Sequence, residues 1–425
     1  MQREGATDAI RAIRPSTPEH CVDCWMNFLM SPMYFPKEEY EGRWQRVHQE
    51  LRRRGYEAAV VWGRGAGSYE RCGDVLYLSN FYSTHSGHEP DTKIWSGRSF
   101  AAVLLQIGQV PELHIDEPEP RTDLIPTDRI QWHFFMVRGV AEALKARKIQ
   151  GKVALVGSDF FPVKYMDELR QLTPSIDWVF EDDLVASARK IKSPRELDCF
   201  RVAGENVTRG LNRMMECLVL GRSEAEAAGE ASKEAMRGGG IPALIRCSHG
   251  DKINNWTREP LTGFSLDSPA QGDLVRGWLM GPMFQGYWLD PGRTAVCGRR
   301  PNKEQKDLVE DCASIVQGVM NAYRVGVSVK ELAKIGDDIK AKVGGEDDQA
   351  GIQWPLYGHH NGLFFELPMV GRDMCEEGDR IEAGVVCSSE AFLARPGVGA
   401  AGFEQNFIVL ENGIELLTRT PMLWW

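Results

Sequence analysis

The sequence predicts an α/β (α+β) protein of two domains, and three observations predict it. At 425 residues the chain is too long for one ordinary hydrophobic core. Its first half alternates apolar, strand-like runs with amphipathic ones of helical spacing. A helix start at Lys192-Ser193-Pro194 separates that half from a second one, in which helices give way to strand- and loop-rich sequence.

Residues 1–35 read as an irregular arm. Pro36 to Arg54 then carries the spacing of an amphipathic helix. YEAAVVWG follows as a buried strand, DVLYLSNF and FAAVLLQ as further strands, and VPELHID as a shorter one. IQWHFFMVRGVAEALKARK reads as a helix, KVALVGSDFFP as a strand and KYMDELRQLTP as a helix. We therefore divide the chain into the arm, a domain over 36–185 and a domain over 186–425.

The second domain opens on a helix from Arg195 to about Leu220. Ser193 is its cap, Pro194 sits at the first helical position, and Glu196 lies three residues after Ser193. EAEAAGEASKEAMRGGG is a second helix; KEQKDLVEDCASIVQGVMNAY and VSVKELAKIGDDIKAKV are two more. Between these pairs, Gly272 to Gly298 reads as two apolar strands with a turn at Gly281-Pro282. Asp290 falls near the end of the second strand, before Pro-Gly-Arg-Thr. The C-terminal strand runs are WPLYGHHNGLFFELPMVG, DRIEAGVVCSSEAFLA and GFEQNFIVLENGIELLT.

A net charge of -10 argues against nucleic acid or an anionic membrane as the main partner. No apolar run is long enough to span a bilayer, and the N-terminal stretch lacks the apolar core of a signal peptide. The expected location is cytoplasmic. The 10 cysteines are scattered, which suits reduced thiols. Cys21 and Cys24 form one CxxC, with no second ligand pair at a zinc-site spacing.

The polar groups that stand out in the second domain are His249, Asp290, His359, His360, Glu366, Glu390 and Glu404. An acidic residue at a strand end is most often a turn or cap residue. One Asp, one His and two Glu together, however, make a hard, mixed oxygen and nitrogen donor set that suits Mn, Fe, Co or Zn.

The order of motifs carries more than each motif alone. Asp-x-x-Arg-Thr at Asp290 is followed by Gly-His-x-x-Gly-Leu at His359. Ser-Glu at Glu390 comes next, then Glu-Gln-x-x-x-Val at Glu404 and Glu-Asn-Gly. This series resembles the pita-bread family of methionine aminopeptidases, aminopeptidase P, prolidase, creatinase and dimethylsulfoniopropionate lyase. The resemblance covers roughly residues 40 to 420 and fits the two-domain, creatinase-type layout. It implies a creatinase-like N-terminal domain, a pita-bread catalytic domain and a homodimer. It also implies that Asp290, His359, Glu390 and Glu404 are metal ligands.

Departures from the family pattern matter as much. Dinuclear members have another aspartate about ten residues before Asp290, where this chain has Trp278-Leu279-Met280. Peptidases carry a second histidine where this chain has Glu366, preceded by Phe364 and Phe365. The substrate-side histidine of the loop before Gly272 is Trp256 here, and the lyase's catalytic aspartate falls at Phe365.

These residues predict one divalent metal ion, or none if His359 supplies the positive charge. Trp256, Trp278, Tyr287, Phe364 and Phe365 are candidate substrate contacts, with Trp288 a further aromatic neighbour. Such a pocket suits a compact small molecule that is aromatic or cationic. Glu366 is a candidate general base, assisted by His360 or His249. Adjacent strand residues point to opposite faces, which weakens His360. The first function expected is metal-dependent hydrolysis of a C–N bond in a small, non-peptide amide- or amidine-like molecule. The alternatives are a lyase acting by β-elimination, a metal-free creatinase-like hydrolase and a non-catalytic binding scaffold.

Overall fold

The structure, a computed structural model, describes residues 33–65, 72–83, 99–344 and 354–425. The chain divides into two compact units between Lys190 and Ile191. Most of the expected arm, with Cys21 and Cys24, lies outside the described residues.

The N-terminal unit begins with α1 (Lys37–Arg54), β1 (Ala58–Arg64), α2 (Gly73–Ser79), β2 (Phe100–Gln106), β3 (Glu112–Ile115) and β4 (Ile130–Trp132). α3 (Met136–Ala146), β5 (Gly151–Val156), α4 (Val163–Leu172), β6 (Ile176–Phe180) and α5 (Leu184–Arg189) complete it. Its strands form one sheet in the order β4-β3-β2-β1-β5-β6. β1 pairs antiparallel with β2 and parallel with β5. Val60, Trp62, Leu104 and Leu155 of the sheet close on Val140, Leu144 and Leu169 of the helices to make its core.

Two stretches differ from their sequence reading. DVLYLS, expected as a strand, is the helix α2. Its carbonyl ends are capped from α1: Arg43 Nη1 donates to Tyr77 O at 3.0 Å and Trp44 Nε1 to Leu78 O at 2.8 Å. Those donors lie more than thirty residues upstream, so no local pattern announces them. IQW, expected at the start of a helix, is the short strand β4 beside β3, and the helix begins only at Met136.

The C-terminal unit opens with α6 (Pro194–Val219) and α7 (Glu224–Arg237). Each starts with a reciprocal capping box, Ser193 with Glu196 and Ser223 with Glu226. β7 (Leu244–His249), β8 (Leu274–Phe284), β9 (Tyr287–Leu289) and β10 (Gly292–Val296) follow, then α8 (Lys303–Ala322) and α9 (Val329–Val343). β11 (His360–Asn361), β12 (Phe365–Glu366), β13 (Val386–Arg395), β14 (Gly399–Leu410) and β15 (Gly413–Leu416) close the unit. The sheet runs β12-β11-β13-β14-β10-β8-β7, with β15 on β14 and β9 on β8.

One face of this sheet is covered by helices. A Cβ on Gly277 would lie 2.6 Å from Met214 Sδ of α6, and one on Gly210 of α6 would lie 2.5 Å from Leu279. Cys312 of α8 donates to the carbonyls of Ala391 and Ala401. Strand side chains alternate between faces. Gly277 and Leu279 therefore face the helices, and Arg276, Trp278 and Met280 face the other way. By the same alternation Glu390, Phe392 and Glu404 share that second face.

β8 does not turn at Gly281-Pro282, as the sequence suggested. It runs on to Phe284, with an irregularity of register between Pro282 and Phe284. The turn is Gln285-Gly286, both with positive φ (48° and 88°), the geometry a two-residue hairpin needs. Among the described residues no helix is long and apolar enough to cross a membrane.

Candidate metal centre

The register of the second sheet lines up one row of residues across four strands. Trp278 of β8 is opposite Gly292 of β10, Gly292 is opposite Glu404 of β14, and Glu404 is opposite Glu390 of β13. Two glutamates placed directly across from each other repel unless something positive lies between them. His359, one residue before β11, and Asp290, between β9 and β10, reach the same place. His359 Nε2 lies 3.3 Å from Asp290 Oδ2, 3.4 Å from Glu404 Oε1 and 3.7 Å from Glu390 Oε1. Ligand atoms of Asp290, His359 and Glu404 all lie within 4.8 Å of one another. All four side chains are buried.

Each carboxylate is held by its outer oxygen and leaves the other facing His359. Asp290 Oδ1 accepts from Asn361 Nδ2 at 3.0 Å and Asn406 Nδ2 at 2.7 Å. Glu404 Oε2 accepts from Trp278 Nε1 at 2.7 Å, and Glu390 Oε2 from Trp354 Nε1 at 2.7 Å. Every one of these donors is neutral. Asn406 is itself oriented, since its Oδ1 accepts from Thr418 Oγ1 at 3.2 Å. His359 Nδ1 donates to its neighbour's carbonyl, His360 O, at 3.0 Å, which leaves the Nε2 lone pair to point at the carboxylates.

The titration of the cluster reflects its crowding. Burial pushes the Glu404 carboxyl well above the usual range, and Asp290 and Glu390 add to it. Burial, then Asp290, raises Glu390 to about 7 against the opposing charge of His359. Burial pushes Asp290 up too, but the His359 charge and its hydrogen bonds outweigh burial and hold it below the ordinary aspartate value. Burial disfavours a proton on His359, yet Asp290 and Glu404 outweigh it and raise its pKa well above that of an ordinary histidine. The pocket thus draws positive charge inward. The buried oxygens Asp290 Oδ2 and Glu404 Oε1 accept no hydrogen bond of normal geometry. With the donor set of three carboxylates and one imidazole, they fit a divalent ion.

Of the five aromatic candidates, Phe365 and Trp278 touch a candidate ligand, and Phe364 and Trp256 pack behind those two. The Phe365 ring is 4.8 Å from the His359 ring, and Phe364 packs on Phe365 at 4.5 Å. Trp288 meets both of those phenylalanines edge-on. Trp256 lies 5.2 Å from Trp278. Tyr287 does not reach the site: its ring packs on Phe200 of α6 and its hydroxyl donates to Glu196. It alternates with Trp288, and the helix face is its side of the strand.

The three candidate proton carriers also point elsewhere. His249 pairs with Val275, on the helix face of the sheet, and its Nδ1 lies 2.6 Å from Glu224 of α7. Glu366 is opposite His360 while Phe365 is opposite Asn361. Asn361 reaches Asp290, so by alternation His360 and Glu366 lie on the far side of that ribbon. There Glu366 Oε2 accepts from Lys192 Nζ at 2.6 Å, a pair buried at both ends.

Several contributors were missed by sequence reading. Trp354, Phe392 and Arg276 join Trp256 and Trp278 in one wall: Phe392 stacks on Trp278 at 5.1 Å, and Trp354 lies 5.6 Å from Trp256. The Arg276 guanidinium sits 5.7 Å from the Trp256 ring and 5.8 Å from Phe392. Burial lowers its pKa to about 10. Asn361 and Asn406 adjoin ligand motifs and were within reach of sequence reasoning; Trp354 and Arg276 carried no signal.

The strand row, the buried carboxylate cluster and the helix-backed sheet define a candidate metal centre in a pita-bread fold of the hydrolase class. The chain belongs to metallopeptidase family M24, whose model matches residues 198–411. It is similar to an Xaa-Pro dipeptidase of Pyrococcus horikoshii, 26% identical over 73% of this chain and 83% of the relative. It is also similar to an uncharacterized hydrolase/peptidase of Sinorhizobium fredii, 23% identical over 92% of this chain and 98% of the relative. Among solved structures, an Xaa-Pro dipeptidase from Bacillus anthracis shares the fold with a TM-score of 0.73 at 18% identity. That match covers 91% of this chain and 100% of the other. Dipeptidase PepE from Mycobacterium ulcerans does so with a TM-score of 0.71 at 21% identity, over 92% and 98% of the two chains.

Proposed function

We propose that this protein hydrolyses a C–N bond in a small, non-peptide, amide- or amidine-like molecule, using one divalent ion held by Asp290, His359, Glu390 and Glu404. One observation carries the reading. Each of the three carboxylates has one oxygen fixed by neutral N–H donors and one facing His359 Nε2; the donor atoms of Asp290, His359 and Glu404 lie within 4.8 Å of one another, and Glu390 Oε1 adjoins them at 3.7 Å from His359. A bound Mn, Fe, Co or Zn ion supplies Lewis acidity to a carbonyl and lowers the pKa of water.

The chain's own residues supply the rest. Of the three inner carboxylate oxygens, Glu390 Oε1 is the farthest from His359 Nε2, at 3.7 Å. Trp354 fixes its other oxygen and so its direction. Phe365 and the Trp256–Trp278–Phe392 wall exclude water and shape the pocket. Because Arg276 already supplies a cation to that wall, an aromatic or apolar substrate group suits it better than a quaternary ammonium. A lyase lacks support, since Phe365 offers no base beside His359.

The relatedness to an Xaa-Pro dipeptidase favours a second reading, hydrolysis of Xaa-Pro dipeptides. The aromatic residues at the sites of the peptidase histidine and aspartate speak against it. The test is elemental analysis joined to a substrate screen. We expect one ion per wild-type chain, loss of the ion in His359→Ala and Glu404→Ala, and turnover of small amides without Xaa-Pro cleavage. Robust Xaa-Pro cleavage would favour the second reading. Turnover by protein that holds no ion after incubation with excess Mn, Fe, Co or Zn would leave His359 as an ion-free proton carrier.

A further inference from the structure

We propose that Trp278 occupies the seat of a second metal ion and thereby limits the centre to one. This inference rests on the metal reading above and adds to it the residue that sets the count.

Glu404 has two oxygens on two sides. Oε1 faces His359 at 3.4 Å. Oε2 is turned the other way, onto the indole N–H of Trp278 at 2.7 Å. A second cation beside the first would need that outer oxygen, because Asp290 Oδ1 is already closed off by Asn361 and Asn406. The indole takes it with a neutral donor whose polarity is that of a weak cation, a positive edge against a carboxylate oxygen.

The strand row explains how the indole gets there. Trp278 and Glu404 are not neighbours in the sheet; Gly292 lies between them on β10. Having no side chain, Gly292 lets the indole lie across its Cα, and a Cβ there would fall 1.9 Å from the ring. Gly402 makes room on the far side, where a Cβ would come within 2.8 Å of Phe392 and 3.1 Å of Trp278. Phe392 stacks on the opposite indole face with rings inclined by 14°. The side chain is therefore clamped in one pose, almost wholly buried, with its only polar atom on Glu404.

Charge balance points the same way. One divalent ion leaves a single negative charge on three carboxylates. That charge is spread over outer oxygens held by Trp278, Trp354, Asn361 and Asn406. The residues that follow Trp278 on β8 add no carboxylate for a second ion, since Leu279 faces the helices and Met280 is apolar. An aspartate at 278 would change both conditions at once: it would vacate the seat and add the missing ligand charge.

The experiment is ion stoichiometry and affinity on the intact chain, with Mn, Co and Zn each added in excess and removed by gel filtration. We expect one ion in wild type and two in Trp278→Asp. In Trp278→Phe, which keeps the ring and loses the N–H, we expect one ion bound about 10–100-fold more weakly, the range for a lost outer-shell partner. The visible spectrum of the cobalt form should shift with that change. Two ions in wild type overturn the inference, as does a single ion in folded Trp278→Asp. Should Trp278→Asp not fold, Trp278→Phe decides: an unchanged affinity and spectrum overturn the inference alone. An ion-free wild type overturns the metal reading and this inference with it.

Discussion

At the scale of single residues, what matters is which way a side chain is turned. Glu366 has the chemistry of a general base and stands where related peptidases have a histidine. Its strand register instead directs it to Lys192, and the two bury each other. Removing one partner of such a buried pair costs about 3–5 kcal/mol. Lys192→Ala should therefore lower the stability of the unit by that order in chemical denaturation. Glu366→Gln should retain its ion and most of its turnover. A folded Glu366→Gln protein that keeps its ion but loses turnover would return Glu366 to the reaction. Glu390 shows the reverse case. Its register places it opposite Glu404, and the Trp354 N–H on Oε2 leaves Oε1 facing His359 at 3.7 Å.

At the scale of elements, the centre depends on four strands keeping one register. A shift of one residue in β10 would replace Gly292 by Arg293 or Pro291 in the row, and the indole would lose its path. Gly292→Ala should mimic a small part of that error. Its methyl meets the Trp278 ring at 1.9 Å, so overpacking should cost about 1–3 kcal/mol and loosen the hold on Glu404. The exposed Gly229, inside α7 with open space around its would-be Cβ, is the control. Gly229→Ala should stabilise by up to about 1 kcal/mol. Equal effects of the two substitutions on thermal unfolding and ion retention would show that the row is not under the constraint its geometry describes. The helices are less demanding in this respect. The capping boxes at Ser193 and Ser223 are written in four consecutive residues each, and α6 and α7 begin where those residues place them.

At the scale of the whole molecule, the homodimer implied by the family resemblance is a proposal of the same standing as the substrate. Leu261 and Leu266 are 95% and 85% exposed on the segment between β7 and β8, and apolar surface of that kind is often covered by a partner. Light scattering at micromolar concentration should give the mass of two chains, near twice 47.7 kDa. A mass of one chain across that range would count against it.

The sequence by itself determined the class of fold, the order of the candidate ligands and most of the helices. Those features are carried by short motifs and local periodicity, and Asp290, His359, Glu390 and Glu404 each sit in a motif that can be read within a few residues. Tertiary structure decided which face each side chain takes and which distant group it meets. DVLYLS has an apolar run that suits a strand, and donors from α1 make it a helix. Tyr287, His249 and Glu366 have the right chemistry for a site and are turned from it by strand alternation and pairing partners. Trp278 is separated from Glu404 by 126 positions, and only the register of β8, β10 and β14 brings its indole to that carboxylate. The physical reason is the same throughout. Periodicity tells a residue which of two faces it can occupy, while the pairing of remote strands selects the face and the neighbour.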